Sequence, residues 1–260
     1  MIELLMLAVL MIFVAAASGF VGTFALQKRM SLVGDAFSHV ALPGFGLAIL
    51  IHANPLYGGI LAMILGAIII WALQEKSRLP VDNVVGIIFI TSLALGALLT
   101  PQSDLVEALF GGATSVTLTE LAISVLLATI VILVMYAMKE RLTLMGLSQE
   151  ISKSLKIPKS FYNFLYLLFF SLTVVLGLKF LGVMLMGALI IIPASISKLF
   201  SWNQKSDIIL SQVFAIACVL SGLAISTLYS SPLGPTIVMV CFTLFIIGLA
   251  SKQVLSFVCK

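Results

Sequence analysis

Charge is what this sequence has least of. Asp, Glu, Lys and Arg make up 9% of its 260 residues, whereas hydrophobic residues make up 62%. Soluble domains carry about a quarter charged residues. Mean hydropathy is +1.25. Residues 1–260 therefore read as one integral membrane domain of several helices, not as soluble domains. The net charge of +4 is spread over many short loops, and with no basic patch a nucleic-acid partner is excluded. Cysteine is scarce too. Cys218, Cys241 and Cys259 lie in or beside late apolar segments without CxxC spacing, so neither a disulfide framework nor a zinc–thiolate site is expected. No Gly-x-x-x-x-Gly-Lys-Ser/Thr loop exists to cradle ATP, and there is no His-Glu-x-x-His. The opening residues carry Glu3 but no Lys or Arg, so no cleavable signal peptide is expected. No internal repeat is evident, which weighs against an inverted-repeat secondary transporter.

What the chain does have is nine apolar segments. They run at about Leu4–Leu26, Met30–Ile51, Leu56–Leu73, Asn83–Leu99, Val116–Met138, Phe161–Leu178, Leu181–Ile196, Ile208–Leu228 and Thr236–Ala250. With the N-terminus outside and nine crossings, every lysine and arginine from Lys28 to Lys260 falls inside except Lys179. That satisfies the positive-inside rule and places the C-terminus inside. The seventh segment is short, and its hinge at Leu178-Lys179 is tight. It therefore reads as a re-entrant piece as readily as a crossing. Pro43, Pro193 and Pro235 are expected to break or kink helices where backbone lines a cavity or interface.

The second segment carries an aspartate and a histidine four residues apart, Asp35 and His39. That spacing puts both side chains on one helical face. At about 1.5 Å per residue, Asp35 lies about 9 Å and His39 about 15 Å beyond Arg29, which brings His39 near mid-bilayer. Ionisable groups in lipid are costly and usually face a partner or a water-filled path. A carboxylate and an imidazole on one face form half of a divalent-metal site. The plainer reading is a capping aspartate and a core histidine bonded to a backbone carbonyl. From the pattern alone both stand.

Other polar groups are weaker signals. Asp104 and Glu107, after the fourth segment, are placed either to attract cations at an outer entrance or to form a solvated acidic loop. His52, at the outer end of the second segment, is a cation contact or an interfacial histidine. Glu120 opens the fifth segment, where an acid suits the helix dipole. Gly34-Asp35 has the look of an intramembrane aspartyl protease, but no second carboxylate lies inside a segment to share a proton, so an enzyme is not expected. After the seventh segment, Leu199, Phe200 and Trp202 are expected exposed on an inner loop, an apolar run that fits either a partner's groove or an interfacial belt.

Four stretches together resemble the membrane permease of bacterial zinc/manganese/iron ABC importers. They are Arg29–Gly44 (RMSLVGDAFSHVALPG), Leu109-Phe-Gly111, Lys179–Ala194 (KFLGVMLMGALIIIPA) and Ser231-Pro-Leu-Gly-Pro235. Within that class the chain is most similar to the zinc-uptake permeases. The resemblance implies an all-α metal-importer permease fold of about eight or nine transmembrane helices, multi-pass in the bacterial cytoplasmic (inner) membrane. It also implies a second copy of the chain, a cytoplasmic ATP-binding subunit that uses the ATP, and an extracytoplasmic metal-binding protein. No permanently bound cofactor is implied; the divalent metal, zinc first, is cargo. Asp35 and His39 match the Gly-Asp-x-x-x-His pattern and, across a two-fold axis, imply two Asp and two His on the ion path. Pro193, Ser197, Lys198, Leu199, Phe200 and Trp202 match the segment where the ATPase docks. Leu147–Ile151 departs from the acidic pair common in relatives. The alternatives are a manganese or iron importer of the same class, a stand-alone secondary metal transporter, and a scaffold in which the Asp/His pair is structural.

Overall fold

The structure, a computed structural model, describes residues 2–30, 33–77, 79–99, 117–147, 154–155 and 157–258. Eight helices carry the fold: α1 (Ile2–Gln27), α2 (Val33–Leu50), α3 (Pro55–Ser77), α4 (Val81–Leu99), α5 (Leu118–Leu147), α6 (Lys159–Phe200), α7 (Gln204–Tyr229) and α8 (Leu233–Val258). These segments are apolar on nearly every face, and in a bilayer a helix satisfies its backbone polar groups internally. Polar side chains mark the ends. Thr117 and Glu120 exchange hydrogen bonds at the start of α5, the Glu120 carboxylate accepting from Thr117 N–H at 3.1 Å and the Thr117 hydroxyl from Glu120 N–H at 3.3 Å. This capping box gives Glu120 the helix-opening place expected of it. Asn203 caps α7 by accepting from Ser206 N–H at 2.8 Å.

Pro43 and Pro193 break no helix: α2 and α6 run through them. Pro235 lies in the first turn of α8, where a missing N–H removes no helical bond. The hinge expected at Leu178-Lys179 is displaced to Gly182, because helix continues through Leu178. Gly182 adopts φ 75°, ψ 169°, a conformation open essentially to glycine alone. There α6 folds back on itself. Met186 occupies the space where a Cβ on Gly177 would stand, although residues nine apart in a straight helix are about 13 Å apart. The two arms are Lys159–Leu178, long enough to cross a membrane, and the shorter Leu185–Phe200. The nine expected segments are thus eight membrane-length helices or arms and one short return arm.

The starts of α6 and α7 both meet the end of α1. Lys28 Nζ donates to Asn163 Oδ1 at 2.6 Å, and Gln27 Nε2 donates to Gln204 Oε1 at 2.6 Å. Trp71 Nε1 donates to Ser160 Oγ at 3.0 Å, bringing the end of α3 to the same place. Following the helices from there, the described lysines and arginines outside the α6 apex gather at one end of the bundle. Ile2 and Val258 lie at opposite ends.

The hairpin α6 is the pillar. It packs on α1, α2, α3, α5, α7 and α8. One group, α2 with α3 and α4, flanks it on one side, and α1 with α5 and α7 flanks it on the other. Tyr166 and Phe170 on its first arm stack edge to face, and Phe170 meets Phe37 of α2 at 5.5 Å. Lipid tails are as apolar as leucine, so close packing rather than escape from water holds such helices. Glycines serve that packing at Gly44 against Gly58, where a Cβ on either would run into the other's carbonyl.

Candidate functional site

Asp35 lies in the first turn of α2, where a carboxylate is favoured by the helix dipole, and His39 follows one turn later. His39 Nε2 stands 3.6 Å from Asp35 Oδ1, just beyond hydrogen-bond reach. The Asp35 side chain is 48% exposed and that of His39 13%. Phe89 of α4 meets the imidazole edge to face at 5.1 Å and fixes its plane. His39 Nδ1 is buried without a hydrogen-bond partner among the described residues. A buried ring nitrogen without a partner is costly for a merely structural residue. Among the described residues no three His, Cys, Asp or Glu side chains come together as a metal site. One chain therefore offers a carboxylate and an imidazole, half of a ligand set, on a face left partly open.

Glycines seat this site against the return arm of α6. A Cβ on Gly34 would stand 3.3 Å from Gly187 Cα, and one on Gly187 would stand 3.2 Å from Asp35 N. Glycine at both positions lets the two backbones meet there, where a Cβ would push the neighbour back by a few tenths of an ångström. The run Gly182–Gly187 looks in sequence like ordinary helix packing, so its contact with Asp35 is not legible from it.

The same arm ends at the segment singled out for partner docking. Pro193, Ser197, Lys198, Leu199 and Phe200 belong to the helix, not to a loop. The turn is confined to Ser201–Asn203. Leu199 and Phe200 are half-buried rather than exposed: Phe200 tilts against Phe214 at 6.2 Å, and both lie over Gly248 of α8. Trp202 is 88% exposed. Sequence reasoning missed Asp207, which is 1% exposed in the first turn of α7. Ser197 Oγ lies 2.6 Å from Asp207 Oδ1 and 2.7 Å from its carbonyl, able to donate to either, and Lys198 Nζ closes on Oδ2. Charge-assisted bonds of this kind are about twice as strong as neutral ones. They clip the end of the arm to α7 and leave Trp202 projecting from a fixed corner.

His52 follows α2 in a left-handed conformation, φ 56°, and is exposed. Its N–H donates to Ile49 O at 3.0 Å and that of Ala53 to Ala48 O at 2.8 Å, a helix-ending role. It lies at the end of the bundle away from the basic cluster. Asp104 and Glu107 lie outside the described residues, as does Leu109-Phe-Gly111.

The family model described as ABC 3 transport family matches residues 1–252. The chain belongs to the ABC 3 transport family. It is a multi-span membrane subunit of an ABC transporter, a transport component and not an enzyme, and the family resemblance carried by its motifs is borne out. Over 239 residues it is 29% identical to the manganese transport system membrane protein MntC of Halalkalibacterium halodurans, covering 90% of this chain and 82% of that protein. It is 27% identical over 238 residues to the high-affinity zinc uptake system membrane protein ZnuB of Haemophilus influenzae, covering 89% and 91%. Among solved structures, PsaBC from Streptococcus pneumoniae in complex with Fab superposes with a TM-score of 0.80 at 29% identity, covering 93% of this chain and 88% of that one. The all-α permease fold expected from the motifs is the fold of this family member.

Proposed function

We propose that the chain is the permease of an ATP-driven importer of divalent transition metal, with zinc as its cargo. The observation that carries the reading is the Asp35–His39 pair, 3.6 Å apart on a partly open face of α2, in a chain of the ABC 3 transport family. A second copy facing it across a two-fold axis completes two Asp and two His, a four-ligand N/O set that suits zinc. Such a site need only hold the ion in passing. Manganese is the second reading, favoured by the manganese-transport relatives and by its tolerance of carboxylate ligands.

In this reading the partners are a second copy, a cytoplasmic ATP-binding subunit and an extracytoplasmic metal-binding protein. The basic end of the bundle faces the cytoplasm, placing the N-terminus outside and the C-terminus inside a bacterial inner membrane. Trp202, with Lys198 and the half-buried Leu199 and Phe200 behind it, is the docking corner for the ATPase. Aromatic anchors of this kind dominate interfaces. His52, Asp104 and Glu107 flank the outer entrance. The test is uptake of zinc and of manganese by cells carrying wild-type, Asp35→Ala or His39→Ala permease, with assembly checked in parallel. Both variants should assemble with the ATPase and fail to import. Normal transport by both would remove Asp35 and His39 from the ion path. The preferred metal of the wild type decides between zinc and manganese.

A further inference from the structure

The basic end of the bundle holds a cavity that the transport reading does not use. It measures about 240 Å³, room for about eight waters at roughly 30 Å³ each. It lies where the ends of α1, α3 and α5 meet the starts of α4 and α6. Lys28, Arg29 and Lys159 line it, and among the described residues no carboxylate does. Among the described residues none of the three is ion-paired. Among the described residues Lys28 is held by neutral groups: its Nζ donates to Asn163 Oδ1 at 2.6 Å and lies 4.6 Å from the Tyr166 ring centre. Burial, with the Lys159 charge second, holds its pKa down to about 7.

Arg29 adds an independent sign. It takes φ 58°, the left-handed conformation at which a helix end ordinarily uses glycine. The arginine side chain is kept there against that preference. Topology alone asks only for cations in water at the surface. It does not ask for one drawn out of water beside a second cation. A desolvated ammonium without a carboxylate lacks its natural counterion.

We propose that this cavity binds a phosphate-bearing anion, the headgroup of an anionic phospholipid, with Lys28, Arg29 and Lys159 as its donors. Basic pockets between transmembrane helices on the cytoplasmic side take such headgroups. Lys28 follows directly on the apolar span Glu3–Gln27, at headgroup depth. Three cations against a phosphate also supply the charge-assisted bonds that phosphate oxygens accept.

The test is thermal unfolding of the full chain in detergent with phosphatidylglycerol, with phosphatidylcholine, or with inorganic phosphate. Phosphatidylglycerol should raise the midpoint by several degrees more than phosphatidylcholine. Lys28→Gln with Lys159→Gln should lose at least half of that difference. Arg29→Gly, which relieves the backbone and so keeps the fold, should lose part of it. Equal responses to the two lipids, or an unchanged difference in these variants, would overturn the proposal. An equal response to inorganic phosphate would keep the phosphate site and overturn the lipid as its source. Loss of the ATPase from the variants with the lipid difference intact would assign the cations to an acidic protein surface instead and overturn the proposal.

Discussion

Substituting Gly187 with alanine probes the contact between the return arm and the candidate metal site. The added Cβ would stand 3.2 Å from Asp35 N, 3.3 Å from its Cα and 3.5 Å from its Cβ. Ordinary contacts begin near 3.4 Å, so one helix must retreat by at least about 0.2 Å. The obstacle is backbone on α2 and cannot rotate away. Overpacking of this kind costs about 1–3 kcal/mol. Alanine returns about 0.4–1 kcal/mol by restricting the unfolded chain. The net is a loss of up to about 2.5 kcal/mol, several degrees in the unfolding midpoint for a chain of this size. Gly86, inside α4, is the control. A Cβ there meets nothing within 4 Å, so Gly86→Ala should raise the midpoint by a degree or more. Both variants are compared in detergent by thermal unfolding and in cells by metal uptake. Gly187→Ala should lower the midpoint and reduce uptake further than the lost protein accounts for, because the shift falls on Asp35 itself. If it is as stabilising as Gly86→Ala and imports metal normally, the tight crossing argued here does not exist in the working protein.

Two further predictions concern the basic end. Asp207→Ala removes a carboxylate, 1% exposed, that takes a bond from Ser197 and pairs with a 43%-exposed Lys198. The hydrogen bonds contribute about 1.5–3 kcal/mol and the solvated side of the ion pair under about 1 kcal/mol. The variant should therefore unfold several degrees lower and retain less ATPase on co-purification, with Asp207→Asn intermediate; wild-type stability in Asp207→Ala would refute the clip. Lys28 sets a pH dependence. Its folded pKa of about 7 lies below the ordinary 10.5, so between those values the unfolded chain holds the extra proton and stability rises with pH, staying flat below about 7. Among the described residues the groups facing it are Lys159, Arg29, Asn163 and Tyr166, with no acid to reverse the sign. The midpoint advantage of wild type over Lys28→Met should grow from pH 7 to pH 10, and a constant difference would refute it.

The membrane class and the place of each apolar segment were legible because both rest on composition and length. Asp35 and His39 were legible for the same reason: two ionisable groups stand out in an apolar run. The hinge was not. Lys179 draws the eye as the polar break, but the backbone turns at Gly182, where φ 75° is open to glycine and the lysine is carried along in helix. Asp207 was hidden because an acid in a first helical turn already has a sufficient reading, the helix dipole. Its real partners, Ser197 and Lys198, lie across the Ser201–Asn203 turn. The exposure of Leu199 and Phe200 was misjudged because it depends on Gly248, about fifty residues downstream, leaving room for them on α8.

The return arm Leu185–Phe200 touches both sites of the proposed function. At one end Gly187 lies against the backbone of Asp35, and at the other Ser197 and Lys198 are clipped to Asp207 beside the exposed Trp202. Between them runs continuous helix through Pro193, without a glycine. On the proposed reading, force applied by an ATPase at Trp202 reaches Asp35 through one rigid element, with no loop in the path to absorb it. The hairpin apex at Gly182, a glycine-only conformation just before the arm, separates it from the first arm. That first arm is anchored by Tyr166, whose hydroxyl donates to Val21 O at 3.2 Å, and by Phe170 against Phe37.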